Sequence, residues 1–156
     1  MATVQKVDRG ARTVARKVTI AAPVDELFAQ VADPHRHGEL DGSGTVQDKV
    51  SGPSAVSTGD RFSVAMKMYG LPYKITSRVT EVVATGEHRV VEWQHPMGHR
   101  WRWELVSTGP RTTEVTESFR YDTAKAPKVL ELLKMPAQNA KGIERTLEKL
   151  AGRYRR

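Results

Sequence analysis

The sequence contains no cysteine, which excludes a disulfide framework, a thiolate nucleophile and any cysteine-ligated metal. It also lacks an apolar run near the ~18 residues that a membrane-spanning helix needs. The first stretch, MATVQKVDRGARTVARK, has no apolar segment of the signal-peptide kind. A cytoplasmic protein without a membrane span is therefore expected. Aromatic residues are sparse, at 6%, so a face on which several of them meet is informative.

What is present fits one folded domain. The chain has 156 residues, 38% of them hydrophobic, enough to bury a sizeable core. The net charge is +7, which raises the question of a nucleic-acid partner. Its location argues against one. Residues 1–17 carry five Lys/Arg against one Asp, and residues 141–156 carry six against two Glu, while the body between them is nearly neutral. Arg153, Arg155 and Arg156 also suit the negative end of a helix dipole. The expected organisation is a flexible basic N-terminal arm over 1–11, a single domain over 12–152 and a basic tail over 153–156.

Periodicity places the elements. TVARKVTI (13–20) has Val14, Val18 and Ile20 at one parity in a β-branched run, a strand pattern. In AAPVDELFAQVAD (21–33), Val24, Leu27, Phe28 and Val31 share a helical face behind Pro23, and Asp33-Pro34 ends it. TVQDKV (45–50) reads as a strand. The next strands are expected over 60–69, 73–84, 89–95, 99–107 and 112–122, with GLP (70–72) as a turn. Successive strands joined by short turns form an antiparallel meander. Helical spacing returns at 126–135 and 137–154, where Ala140, Ile143, Leu147, Leu150 and Tyr154 make one stripe and Pro136 predicts a kink or break.

The fold class is thus α+β: a curved antiparallel sheet of about six or seven strands wrapped on a long C-terminal helix, with two short helices after the first strand. A curved sheet meeting a helix along one line leaves space between them. Trp93, Trp101, Trp103, Phe119, Tyr121, Met66 and Met68 have inward parity, and Tyr73, in register with Ile75 and Val79, is expected among the ligand contacts. Facing Ile143 and Leu147 on the helix, they suit a pocket for a flat or greasy ligand.

Polar candidates are fewer. Glu117 shares the inward face with Val115 and Phe119, so a buried carboxylate is expected there, paired or raised in pKa. It is a weak catalytic candidate, and a structural pairing with an arginine or a Trp N–H is favoured. His95 and His99 flank the HPMGH turn at strand ends, as rim residues, and His95 and Glu117 are expected among the ligand contacts, orienting the bound molecule. DPHRHGELDGSG (33–44) brings together His35, His37, Glu39 and Asp41. Its histidines at i, i+2 do not share a helical face, and DGSG does not follow the calcium-loop pattern. A lid-like loop hinged at Gly42 and Gly44 is expected, with His35, His37 and Glu39 near a ligand's polar end. No metal or cofactor is expected.

The stretches VTIAAPVDELFAQVADP, VAMKMYGLPYKITSRVTEV, HRWRWELVSTGPRTTEVTESFRY and IERTLEKL, in that order, resemble the START-like helix-grip superfamily, the SRPBCC group of polyketide cyclase/dehydrase and lipid-transport proteins. The resemblance spans roughly residues 13–151 and implies a cavity between sheet and long helix. That superfamily holds carriers, aromatase/cyclases, hormone binders and toxin-like proteins, and it shares no catalytic motif. The expected function is binding, transport or sequestration of a hydrophobic or aromatic small molecule, by a monomer or homodimer. Two alternatives stand beside it: a cofactor-independent cyclase/dehydratase using Glu117 or a rim histidine, and a toxin-like RNA- or ribosome-associated protein acting through its basic tails.

Overall fold

The structure, a computed structural model, describes residues 3–40, 46–68 and 70–154. Its elements, in chain order, are β1 (Gln5–Val7), β2 (Thr13–Ile20), α1 (Val24–Val31), a single 3-10 turn (Pro34–Arg36), α2 (His37–Leu40), β3 (Val46–Ser51), β4 (Arg61–Met68), β5 (Leu71–Val83), β6 (His88–Gln94), β7 (Arg100–Gly109), β8 (Thr112–Arg120), α3 (Pro127–Leu132) and α4 (Met135–Gly152). The strands form one sheet of eight in the order β1-β2-β8-β7-β6-β5-β4-β3, and every neighbouring pair is antiparallel. The helix-grip α+β class is therefore present with more strands than expected. The addition comes from the N-terminal segment, where Gln5, Lys6 and Val7 pair with Lys17, Arg16 and Ala15. Three residues are too short for side-chain alternation to show in the sequence.

Two turns differ from expectation for identifiable reasons. Leu71 and Pro72 pair with Met68 and Lys67, so these two open a strand and only Gly70 of GLP stays in the turn; proline is tolerated in strand positions that lack a ladder bond. The C-terminal helical break falls at Lys134, whose left-handed backbone (φ 59°) separates α3 from α4. Pro136 lies within the first turn of α4, where a missing N–H costs nothing.

Parity assigns the two sheet faces. Val18 and Ile20 of β2, Val115 and Phe119 of β8, Trp103 and Leu105 of β7, and Val91 of β6 point to the concave side and are buried. They pack with Leu27, Phe28 and Val31 of α1 and with Ile143, Leu147 and Leu150 of α4 in one core. α4 rests on β2 and β8, and Arg16 of β2 donates from Nε to Glu144 of α4 at 2.9 Å. A second, smaller core of Phe62, Val64 and Val79 lies on the other half of the sheet, with Val50, Met66, Val82 and Trp93 against it. A bulge between Val79 and Glu81 of β5 strengthens the local bend.

The convex face is polar but ordered. Arg102 donates to Glu81 at 2.8 Å, to Glu92 at 3.1 Å and to Glu104 at 3.1 Å. Thr80 and Arg100 also donate to Glu92, at 2.8 and 3.1 Å. Burial alone would raise the Glu92 carboxyl, but these hydrogen bonds from Thr80, Arg102 and Arg100 outweigh it and hold the group below its ordinary range.

Gly98 fixes the β6–β7 turn. Its φ is +98°, and a Cβ there would reach the Thr123 carbonyl oxygen at 2.5 Å. The Gly98 carbonyl accepts from Gln94 Nε2 at 2.9 Å and Thr123 Oγ1 at 2.6 Å, and Lys125 N donates to Met97 O at 2.8 Å. The turn and the segment after β8 are therefore one tied unit. Gly98→Ala combines a disfavoured backbone with a clash against main chain. It is expected to cost at least ~2 kcal/mol in urea unfolding. A variant within about 0.5 kcal/mol of wild type would show that the 121–125 segment yields freely.

Candidate functional site

The half of the concave face over β4, β5 and β6 lies beyond the elements that α4 rests on. Its floor is aromatic and aliphatic: Phe62 and Val64 from β4, Val79 from β5, Trp93 from β6, with Met66 half-buried beside them. Phe62 meets Trp93 edge-on, with ring centroids 5.6 Å apart. The cover is an imidazole. His37, at the start of α2, stacks on Trp93 at 4.9 Å and 26° and presents an edge to Phe62 at 6.0 Å.

Local chemistry explains why His37 sits there. Asp33 caps the 3-10 turn by accepting from His35 N at 2.9 Å. His37 Nε2 bonds to the Val31 carbonyl at 2.9 Å, and His35 Nε2 bonds to the Gly52 carbonyl at 2.7 Å. A carbonyl can only accept, so each Nε2 carries a proton. Gly52 makes its own approach possible: its φ is +125°, and a Cβ would meet Phe62 Cβ at 2.8 Å. Glu39 is exposed and pairs with Arg36 at 3.3 Å. Thus His37 reaches the apolar floor, while His35 and Glu39 secure the loop from outside. Asp41, Gly42 and Gly44 lie outside the described residues, as does the side chain of Met68.

The other candidates separate into groups. Trp103, Phe119, Ile143 and Leu147 are all in the closed core beneath α4. Trp101 is half-buried against Phe119, with centroids 5.0 Å apart, and is the cross-strand neighbour of Trp93. It therefore lies between the main core and the smaller one. Tyr73 pairs with Met66 but is 39% exposed, because β5 runs on beyond the end of β6. Glu117 is buried, with Arg16 and Trp103 as its neighbours across β2 and β7.

His95 and His99 stack on each other at 4.1 Å, and His99 meets Phe119 edge-on at 5.2 Å. His95 Nδ1 accepts from Met97 N at 3.0 Å. Among the described residues, His99 Nδ1 is buried without a hydrogen-bond partner. Burial, and then the adjacent His95, pushes the His99 imidazole down to about 4; burial also lowers His95. Both rings are neutral at pH 7. Among the described residues no three His, Asp or Glu side chains converge in a way that could hold a metal ion.

Phe62 and Val64 share the parity of Met66 and Met68 in the sequence but were not among the expected ligand contacts. The missing information was how far α4 reaches across the sheet, which no periodicity carries.

This arrangement defines a class: a helix-grip protein whose long helix covers part of a curved sheet and leaves an aromatic floor beside it. The chain belongs to the family described as polyketide cyclase / dehydrase and lipid transport, whose model matches residues 11–155. It is 51% identical over 160 residues to an uncharacterized protein of Mycobacterium tuberculosis, covering 100% of this chain and 70% of that one. Among solved structures it is similar to the ZhuI aromatase/cyclase from a Streptomyces species (TM-score 0.62, 16% identity, 92% of this chain and 96% of that one). It is also similar to a hypothetical protein of Helicobacter pylori (TM-score 0.68, 12% identity, 92% and 88%). At these identities the likeness establishes the fold. No helix among the described residues is long and apolar enough to cross a membrane.

Proposed function

We propose that the protein binds a hydrophobic or aromatic small molecule over β4–β6, in the space beside α4, with His37 as the movable cover. The observation that carries this reading is the Phe62–Trp93–His37 cluster, an aromatic floor closed by a stacked ring on a short helix instead of by α4. Displacing one imidazole costs little compared with parting a helix from a sheet. A planar ligand would replace His37 on the Trp93 face, stack there, and bury further area against Phe62 and Met66 at ~25 cal/mol per Å² before ordering costs. Trp101, His95 and His99 would form the end of the space nearest the core.

Trp93→Ala is expected to weaken binding of polycyclic aromatic or long-chain acyl probes by on the order of tenfold or more, read by calorimetric titration. Wild-type protein that takes up none of these probes would remove the proposal. So would a Trp93→Ala variant that stays folded and binds them as well as wild type does.

A second reading, a cyclase/dehydratase acting through proton transfer, is favoured by one observation. His99 Nδ1 is buried, neutral and without a partner among the described residues. An imidazole pushed down to about 4 is a weak base at pH 7, which is why binding is placed first. Turnover of a polyketide-like substrate that collapses in a folded His99→Phe variant would reverse the order.

A further inference from the structure

The strand register places four arginines in one line across the convex face. Arg61 of β4 is opposite Arg78 of β5, Arg78 is opposite Gln94 of β6, Gln94 is opposite Arg100 of β7 and Arg100 is opposite Arg120 of β8. Cross-strand partners project from the same face, and like charges directly opposite each other are destabilising. Two of the four are offset. Arg100 donates to Glu92 at 3.1 Å, and Arg120 pairs with Asp122 at 2.6 Å. Arg61 and Arg78 form no ion pair or side-chain hydrogen bond among the described residues.

These two arginines open onto a groove of about 530 Å³. It lies where the longer β4–β5 hairpin runs past the β6–β7 turn, and Lys125 adds a third cation from the segment after β8. No carboxylate is among its lining residues, whereas Thr76, Gln94 and Thr123 are. The wall is fixed in advance, since Gln94 and Thr123 both donate to the Gly98 carbonyl. Two guanidinium forks and an ammonium around a recess free of carboxylates match a tetrahedral dianion, which two forks can grip by paired N–H···O bonds.

We infer that this groove, whose two arginines project from the sheet face opposite the aromatic floor, binds a phosphate monoester group. The groove shares His95 with the end of the proposed ligand space, but its cations, Arg61, Arg78 and Lys125, take no part in that space, so the inference stands or falls on them. The group's source is either a small soluble phosphate ester or the head of a phosphatidic-acid-type lipid, and both present the same chemistry to Arg61, Arg78 and Lys125.

The test uses the whole chain with two probes: glycerol 3-phosphate by calorimetry, and phosphatidylcholine vesicles with and without phosphatidic acid by co-sedimentation. R61Q/R78Q is compared with R111Q/R145Q, which removes equal charge at exposed positions elsewhere; circular dichroism checks that both are folded. Wild type is expected to bind glycerol 3-phosphate, or phosphatidic-acid vesicles in preference to pure phosphatidylcholine. R61Q/R78Q should lose on the order of tenfold in affinity or more, and R111Q/R145Q about twofold or less. Binding of the soluble probe assigns the site to free esters; binding of vesicles alone assigns it to the lipid head. No binding in either arm overturns the inference, as does an equal loss in the two double variants. Binding confined to a single-stranded RNA oligonucleotide would overturn it too.

Discussion

Trp103→Ala is expected to destabilise the protein by about 3–5 kcal/mol in urea or guanidinium unfolding. Trp103 is 3% exposed, lies between Val91 and Glu117 across neighbouring strands, and shares the core with Leu105, Val115, Ile143 and Leu147. Removing it leaves a large void that helix and sheet cannot close without losing their contacts. Its buried neighbour Glu117 would also lose the ring that shields one side. Trp93→Ala, in the half-open region, should cost roughly half as much stability or less, because its surroundings can relax or hydrate. The pair separates two roles that sequence parity assigns equally to both tryptophans. A Trp103→Ala protein that unfolds within about 1 kcal/mol of wild type yet loses probe binding would move the ligand space under α4.

The second large effect is with acid. His99 is 9% exposed and held down to about 4 by burial and by His95, against an ordinary value near 6.5 in the unfolded chain. In that interval the unfolded state binds the proton and the folded state does not, so stability rises with pH. The contribution is complete above pH ~6.5 and is lost as pH falls through about 4. Allowing for partial access to solvent, the loss is about 2–3 kcal/mol, and His95, which burial also lowers, adds in the same direction. Glu92, depressed below its ordinary carboxylate value, acts in the same direction but at lower pH, so the two are separable. In His99→Phe, which keeps a ring against Phe119 and His95, unfolding free energy between pH 6.5 and 4.5 should flatten to the slope His95 alone supplies. An unchanged slope would show that the imidazole pair is protonated in the folded state.

Which parts of this molecule were legible in the sequence follows from the range of the interactions involved. Val24, Leu27, Phe28 and Val31 announce α1 because a helix face repeats within eight residues, and Trp101, Trp103 and Leu105 announce the inward face of β7 because strands alternate. Tyr73 has the same parity, yet it is exposed, because β6 ends short of it. The line from Arg61 to Arg120 could not be read either: its members are far apart in sequence and are aligned only by pairing register. His37 was expected as a loop residue near a ligand's polar end. Its place on the face of Trp93 depends on a carbonyl of α1 and on the close approach of Gly52 to Phe62, neither of which leaves a local pattern.

Because α4 rests on β2 and β8, the two edges of the sheet are secured to different degrees. Backbone amides of β2, β7 and β8 are expected to exchange with solvent only when the whole chain unfolds. Those of β3, β4 and the outer part of β5 should exchange through cheaper, partial openings. The region that would receive a ligand is then the part of the sheet that breathes, and uptake can proceed while the helix-bound half stays shut. A bound molecule would slow exchange in β3–β5 alone, a signature visible in native-state deuterium labelling before the ligand itself is known.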